Sequence, residues 1–204
     1  MRRLQIVEVS AGQLLPAPKD VAGAIITGSA AMVTERASWS EQTAGWIRNA
    51  MDAGLPLFGV CYGHQLMAHS LGGRVDYLPG GREIGTQPIE LLPNAARDDL
   101  CTVLPRSFRA HTTHEQSVLE VPRDSIVLAR SARDPHQLLR YGPNAISTQF
   151  HPEFNAEVMR DYVKRKHVDL RREGSDPKSI YNSVAATPVA RRLLQCFSRK
   201  YDWI

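Results

Sequence analysis

The sequence predicts an α/β fold with a largely parallel central sheet flanked by helices. Three observations predict it. Two short apolar runs, 23–27 (GAIIT) and 55–60 (LPLFGV), read as fully buried strands. Between them, 38–54 carries Trp39, Thr43, Trp46, Ile47, Ala50 and Met51 at helical intervals. After the second run the pattern turns helical again at once, through a single cysteine, Cys61. Strands alternating with helices favour parallel pairing, and such sheets place their sites beyond the carboxyl ends of the strands.

In chain order, 4–9 (LQIVEV) reads as a first strand, and Pro16 and Pro18 mark the connection that follows. The run 23–27 is closed by Gly28 and Ser29. Ser38 with Glu41 has the pattern of a capping box, and Gly54 supplies the helix stop. The next helix runs from Tyr62 through Leu66, Met67 and Leu71 to Gly72 and Gly73. Residues 87–92 form a strand, and 94–105 is polar and turn-rich, with Cys101 in a structural role. Strands 124–129 and 145–150 are joined by a turn bearing Pro and Gly. Asn155 caps a helix through Val158, Met159, Tyr162 and Val163. A polar linker is expected at 175–183. Thr187 and Pro188 then open a last helix, with a cap followed by Pro at the first helical position. The whole of 1–204 is expected to be one domain, with 155–204 as a C-terminal helical tail packed on it or on a partner chain.

Two stretches carry chemistry. Phe58 to Gly73 reads FGVCYGHQLMAHSLGG, a strand, a sharp turn and a helix, with Gly59 and Gly63 flanking Cys61. A turn this tight is strained, and larger neighbours would collide. It lifts the sulfur clear of the sheet and aims the first helix amides at whatever the sulfur attacks. A helix N-terminus lowers a thiol pKa and can hold an oxyanion. A free cysteine is more often a core residue, but G-x-C-x-G at a strand-to-helix junction favours a nucleophile. The second stretch is QFHPEF, 149–154. Pro152 stops the strand, and His151 and Glu153 are the base and the orienting acid that a thiol nucleophile needs.

GVCYGHQ with a downstream QFHPE resembles the class I (triad) glutamine amidotransferases, above all the amidotransferase domain of GMP synthase and its stand-alone relatives. The likeness runs from about residue 23 to 154. It implies a flavodoxin-like three-layer sandwich, with Cys61 as nucleophile, His151 as general base and acid, and Glu153 as its partner. By the same resemblance Gly28, Ser29 and the amide of Tyr62 form the oxyanion hole. Gln65, His114 and Glu115 fall in the glutamine pocket, and Gly80 to Gly85 matches the R-E-x-G turn of that branch. Two departures stand out: Gly28-Ser29-Ala30 replaces a Gly-Gly-Pro, and Gln116 stands where Asp is common. The strand–loop–helix unit that the family places before the strand matching 4–9 has no counterpart in 1–204, which leaves an inner strand unpaired and raises a homodimer as one way to cover it. No G-x-x-x-x-G-K-[ST] follows, so the resemblance implies that ammonia passes to a separate synthetase subunit.

Composition bounds the rest. Hydrophobic residues make up 43% and charged residues 23% of the 204, ordinary for a globular protein. The net charge of +4 is scattered, and the densest patch, Lys164 to Lys166 with Arg171 and Arg172, is interleaved with Asp161, Asp169 and Glu173, which reads as a solvated helix face and not as a nucleic-acid stripe. Three cysteines without CxxC spacing indicate a reducing compartment, expected to be the cytoplasm, and no disulfide framework. The sequence has no long apolar segment, so no membrane is expected, and no metal spacing or cofactor motif. The reading is a stand-alone glutaminase or amidotransferase with glutamine as substrate. Two alternatives stand beside it: a hydrolase of other γ-glutamyl amides, and a non-catalytic binding or regulatory domain that has kept the triad.

Overall fold

The computed structural model describes residues 4–204. Seven strands form the main sheet: β1 (Ala24–Ile26), β2 (Leu57–Val60), β4 (Glu83–Leu91), β5 (Ser107–His114), β7 (Ile126–Arg130), β8 (Leu138–Gly142) and β9 (Ala145–Thr148), in the order β1-β2-β9-β8-β7-β4-β5. β3 (Arg74–Tyr77) and β6 (Gln116–Glu120) make a separate antiparallel ribbon. The helices are α1 (Ser38–Asp52), α2 (Tyr62–Ser70), α3 (Ala156–Arg165), α4 (His167–Arg172), α5 (Pro177–Ser183) and α6 (Pro188–Lys200).

The expected parallel character belongs to one half of the sheet. β1, β2 and β9 run parallel, while the four ladders from β9 through β8, β7 and β4 to β5 are antiparallel. The connections account for this. β1 reaches β2 through α1, a crossover long enough for a parallel return, whereas β8 returns to β9 through Pro143 and Asn144 alone.

Side chains alternate across β2 and divide the core. Leu57 faces α1 and α2, packing with Ala44, Ile47 and Leu66. Phe58 and Val60 face α6, with Leu193 and Phe197. The sheet is thus the middle of three layers. A third cluster joins Met159 and Val163 of α3, Leu170 of α4 and Val184 to Ile84 at the start of β4.

Several expectations about elements need correction. Residues 4–8 form no strand, and Val9–Ala11 is a 3-10 turn. Leu4 and Ile6 stay exposed, so this segment gains none of the apolar burial that would offset ordering it as a strand. Ser38 makes no capping bond; Ala37 is the cap, and Glu41 turns to Arg36 and His69. The expected linker at 175–183 contains α5, with Asp176 accepting from the Lys178 amide and Pro177 opening the helix. β8 lies inside the stretch read as a turn. Asn155 does cap α3, its Oδ1 accepting from the Val158 amide at 2.8 Å. Gly54 closes α1 with positive φ (67°), as expected of a helix stop.

Candidate active site

β2 and β9 are neighbours in parallel register, Val60 opposite Thr148. Cys61 and His151, ninety positions apart in sequence, therefore leave adjacent strands at the same end of the sheet. The Cys61 amide donates to the Thr148 carbonyl at 2.8 Å. Its backbone then takes φ 52° and ψ −102°, a conformation that costs about 1–3 kcal/mol and persists only when its surroundings impose it. Those surroundings need glycine on both sides. A Cβ on Gly59 would lie 2.7 Å from the Met67 sulfur and 2.8 Å from the Gly63 carbonyl oxygen. One on Gly63 would lie 2.1 Å from the Ile26 carbonyl oxygen.

His151 ends the strand path and is held by its backbone, its amide donating to the His111 carbonyl at 2.8 Å. Its Nδ1 lies 2.7 Å from Glu153 Oε1, and Phe154 stacks on the ring at 4.0 Å between centroids. That contact fixes Nδ1–H toward the carboxylate and leaves Nε2 buried without a hydrogen-bond partner, while the Cys61 thiol points to the Thr113 carbonyl at 3.9 Å. Gly28 closes the other side: a Cβ there would sit 3.3 Å from His151 Cε1 and 3.7 Å from Cys61 Cβ, so both side chains flank one point.

Electrostatics follow from the geometry. Burial pushes the Cys61 thiol up, but the charge of His151 brings it below its ordinary value, with His114 adding in the same direction. For His151, burial disfavours the charged form, and the Cys61 charge, followed by the bonded Glu153, more than reverses this and raises it. Each partner thus favours the charged form of the other. His111, behind His151, is pushed down to about 4 by burial and then by the His151 charge, so it stays neutral.

The remaining expected residues divide. Tyr62 is the first residue of α2, and a Cβ on Gly28 would lie 3.7 Å from Cys61 Cβ, so both residues adjoin Cys61. The Ser29 hydroxyl is taken up in its own turn, accepting from the Ala31 amide at 3.1 Å. The side chains of the three residues expected in the pocket have these partners. Gln65 donates to the Gln116 carbonyl and to Gln149 Oε1 at 2.7 and 3.0 Å. Glu115 pairs with Arg82 at 2.6 Å. His114 is tied to Glu83 and to the Gln116 carbonyl. Glu83, His111 and Phe154 are contributors that sequence reasoning did not single out. Only the Glu83–His114 cross-strand register reveals the first, and no spacing in the sequence encodes that register.

The model of the glutamine amidotransferase class-I family matches residues 3–170, and the chain belongs to that family. It is 31% identical over 157 residues to a glutamine-hydrolysing GMP synthase subunit from Methanopyrus kandleri, covering 72% of this chain and 79% of that protein. It is 26% identical to γ-glutamyl peptidase 5 of Arabidopsis thaliana, over 70% of this chain and 58% of the peptidase. The fold is shared with a glutamine amidotransferase from Thermotoga maritima, at a TM-score of 0.79 and 21% identity, over 96% of this chain and 84% of that one. Among the described residues no helix is long and apolar enough to cross a membrane.

Proposed function

We propose that the chain hydrolyses the side-chain amide of glutamine through a cysteinyl thioester, giving glutamate and ammonia for a separate acceptor enzyme. The observation that carries this reading is the strained Cys61 beside a His151 whose far nitrogen is held by Glu153. The thiolate attacks the amide carbon, and the carbonyl oxygen becomes an oxyanion. The Tyr62 amide and the loop at Gly28 and Ser29 are the donors proposed for it. His151 passes its Nε2 proton to the departing nitrogen, the C–N bond breaks, and ammonia leaves a thioester. Water adds to the thioester while His151 takes its proton. The C–S bond then breaks, glutamate departs and the ion pair is restored.

The likeness to one subunit of a GMP synthase supports a partner in the form of a separate synthetase subunit. The three free cysteines fit a reducing cytoplasm. The test compares wild type with Cys61→Ala for glutamate release, alongside labelling of Cys61 by a diazoketone analogue of glutamine. A loss of about a thousandfold or more, with a labelled Cys61, is expected. Equal rates in the two proteins reject the assignment. A second reading keeps the acyl chemistry and changes the amine: hydrolysis of other γ-glutamyl amides, favoured by the match to a γ-glutamyl peptidase. A panel of γ-glutamyl amides and glutamine, ranked by kcat/KM, separates the two.

A further inference from the structure

We infer that Gln116 is a positioning residue: through Thr34 it holds the loop that flanks the triad, residues 28–35, in a fixed place beside Cys61. Its effect on turnover rests on the function proposed above; the tether itself does not.

The loop starts at the site. A Cβ on Gly28 would lie 3.3 Å from His151 Cε1 and 3.7 Å from Cys61 Cβ, so the backbone there passes close to both side chains. Gly28, Ser29 and Ala30 are exposed, and β1 ends before them, at Ile26 opposite Gly59. The rest of the loop is bonded to itself. Ser29 Oγ accepts from the Ala31 amide at 3.1 Å. Glu35 closes the 3-10 turn Val33–Glu35: its side chain accepts from the Met32 amide at 3.4 Å, and its own amide donates to the Met32 carbonyl at 3.1 Å. A displacement at Thr34 is therefore passed along a short, internally bonded segment to Gly28.

Two contacts hold the far end. Val33 is buried and packs in the cluster that includes Tyr62 and Leu66 of α2. Apolar burial is non-directional, so it keeps the turn on the body without fixing its orientation. The Gln116 side-chain amide supplies the direction, donating to Thr34 Oγ1 at 2.6 Å. A hydroxyl both donates and accepts, so this contact is made whichever end of the amide faces it. Among the described residues it is the one hydrogen bond that leaves 28–35 for another part of the chain. Arg36, next in sequence, reaches Glu41 and His69, but its side chain is 59% exposed, where such contacts are weak.

Gln116 is suited to be the fixed end. It is 1% exposed, so water does not replace the bond if it breaks. Its backbone lies in β6, paired with Tyr77 of β3. Its carbonyl accepts from Gln65 Nε2 at 2.7 Å and from His114 Nδ1 at 2.9 Å. Gln65 belongs to α2, the helix that Cys61 opens into. One residue thus joins the loop, by its side chain, to the helix behind the nucleophile, by its carbonyl. Those two elements carry the donors proposed for the oxyanion, and Gln116 sets the spacing between them.

Thr34 is exposed, so substitutions there leave the core intact. Thr34→Val keeps the shape and removes the hydroxyl, whereas Thr34→Ser keeps the hydroxyl. Hydrogen–deuterium exchange of the full chain, read by mass spectrometry over 28–35, is expected to quicken about tenfold in Thr34→Val and to match wild type in Thr34→Ser. With glutamine as substrate, Thr34→Val should lower kcat about tenfold or more with KM within about twofold, because a misplacement of about 1 Å costs up to about a hundredfold. Thr34→Ser should keep the wild-type kcat. Gln116→Asn, one methylene short of Thr34, should behave as Thr34→Val does, and the double variant should be no worse than either single one. Unchanged exchange in Thr34→Val overturns the tether, and faster exchange with unchanged kcat overturns the positioning role. Faster exchange in Thr34→Val, in a protein whose wild type releases no glutamate, leaves the tether standing and rejects the proposed function instead.

Discussion

Gly63 and the Ile26 carbonyl touch so closely that a single added carbon on the glycine would lie 2.1 Å from the oxygen. The first turn of α2 is pressed onto the end of β1, and this contact, with the Thr148 bond to the Cys61 amide, keeps Cys61 in its strained conformation. The elbow is thus held from both neighbouring strands.

Gly63→Ala is therefore expected to destabilise the fold by about 3 kcal/mol and to disable Cys61, because the obstacle is backbone and cannot swing away. Gly45→Ala in α1 is the control. Its added carbon meets nothing nearer than the Arg48 guanidinium at 3.7 Å, and alanine gains about 0.5–1 kcal/mol over glycine in a helix interior. Urea unfolding of both variants should give shifts of opposite sign; equal destabilisation would deny the special role of Gly63.

Cys61 is expected to react with iodoacetamide at pH values well below an ordinary thiol midpoint of about 8.5. Cys101 should stay silent until the protein unfolds, since burial first, and then the charge of Asp98, push its thiol far up. His151→Ala should raise the Cys61 midpoint. The same pair gives stability a definite pH dependence. His151 is raised in the folded state, so its contribution is complete below about pH 6.5 and fades as pH climbs through the raised value. Cys61 is lowered, so its contribution holds above about pH 8.5 and fades as pH falls through the lowered value. Because the two titrate as a coupled pair, melting temperatures of wild type and Cys61→Ala should differ most between the two folded-state values and converge outside them.

The sequence carries what the backbone must do locally. Gly59, Cys61 and Gly63 announce a turn that only glycine permits, and Pro152 after His151 announces the strand end; both hold in three dimensions. Long-range partners are not written there. Whether 4–9 forms a strand depends on a neighbouring ladder, and β1 pairs only with β2 among the described residues. Ser38 and Glu41 have the spacing of a capping box, but Arg36 and His69 draw the carboxylate away. That His114 meets Glu83 follows from the antiparallel register of β4 and β5, which no local pattern announces. Pro177 after Asp176 is a readable helix start, masked by the polar composition around it.

Glu153→Gln tests the orientation of the base. The amide can meet His151 Nδ1 at similar distance, but it can present its NH₂ and so stabilise the tautomer with its proton on the wrong nitrogen. If glutamine is the substrate, kcat is expected to fall by about a hundredfold or more with a much smaller change in KM. An equal fall in Glu153→Gln and Phe154→Leu would point instead to ring packing, since Phe154 supports the ring face and not its proton.

Asp98 and Arg140 form an ion pair that lies away from the triad and holds the far side of the core. Arg140 Nε and Nη2 donate to the two Asp98 oxygens at 2.7 and 2.8 Å, and both side chains are more than nine-tenths buried. Asp98 also accepts from the amides of Leu100 and Cys101, closing the turn that carries the buried Cys101. Asn at this position keeps the shape but removes the charge and presents a donor toward a guanidinium that has none to accept. The outer Asp99, 3.2 Å from Nη2 but largely exposed, cannot replace it in a screened environment. Asp98→Asn should therefore lower stability by about 3–5 kcal/mol, the cost of stranding one partner of a buried pair. Replacing both partners, Asp98→Leu with Arg140→Met, should cost less than the single change, because no charge is left behind. Urea unfolding of the two variants decides it: a double variant no more stable than Asp98→Asn would mean that the turn's amide bonds, and not the buried charge, hold this corner together.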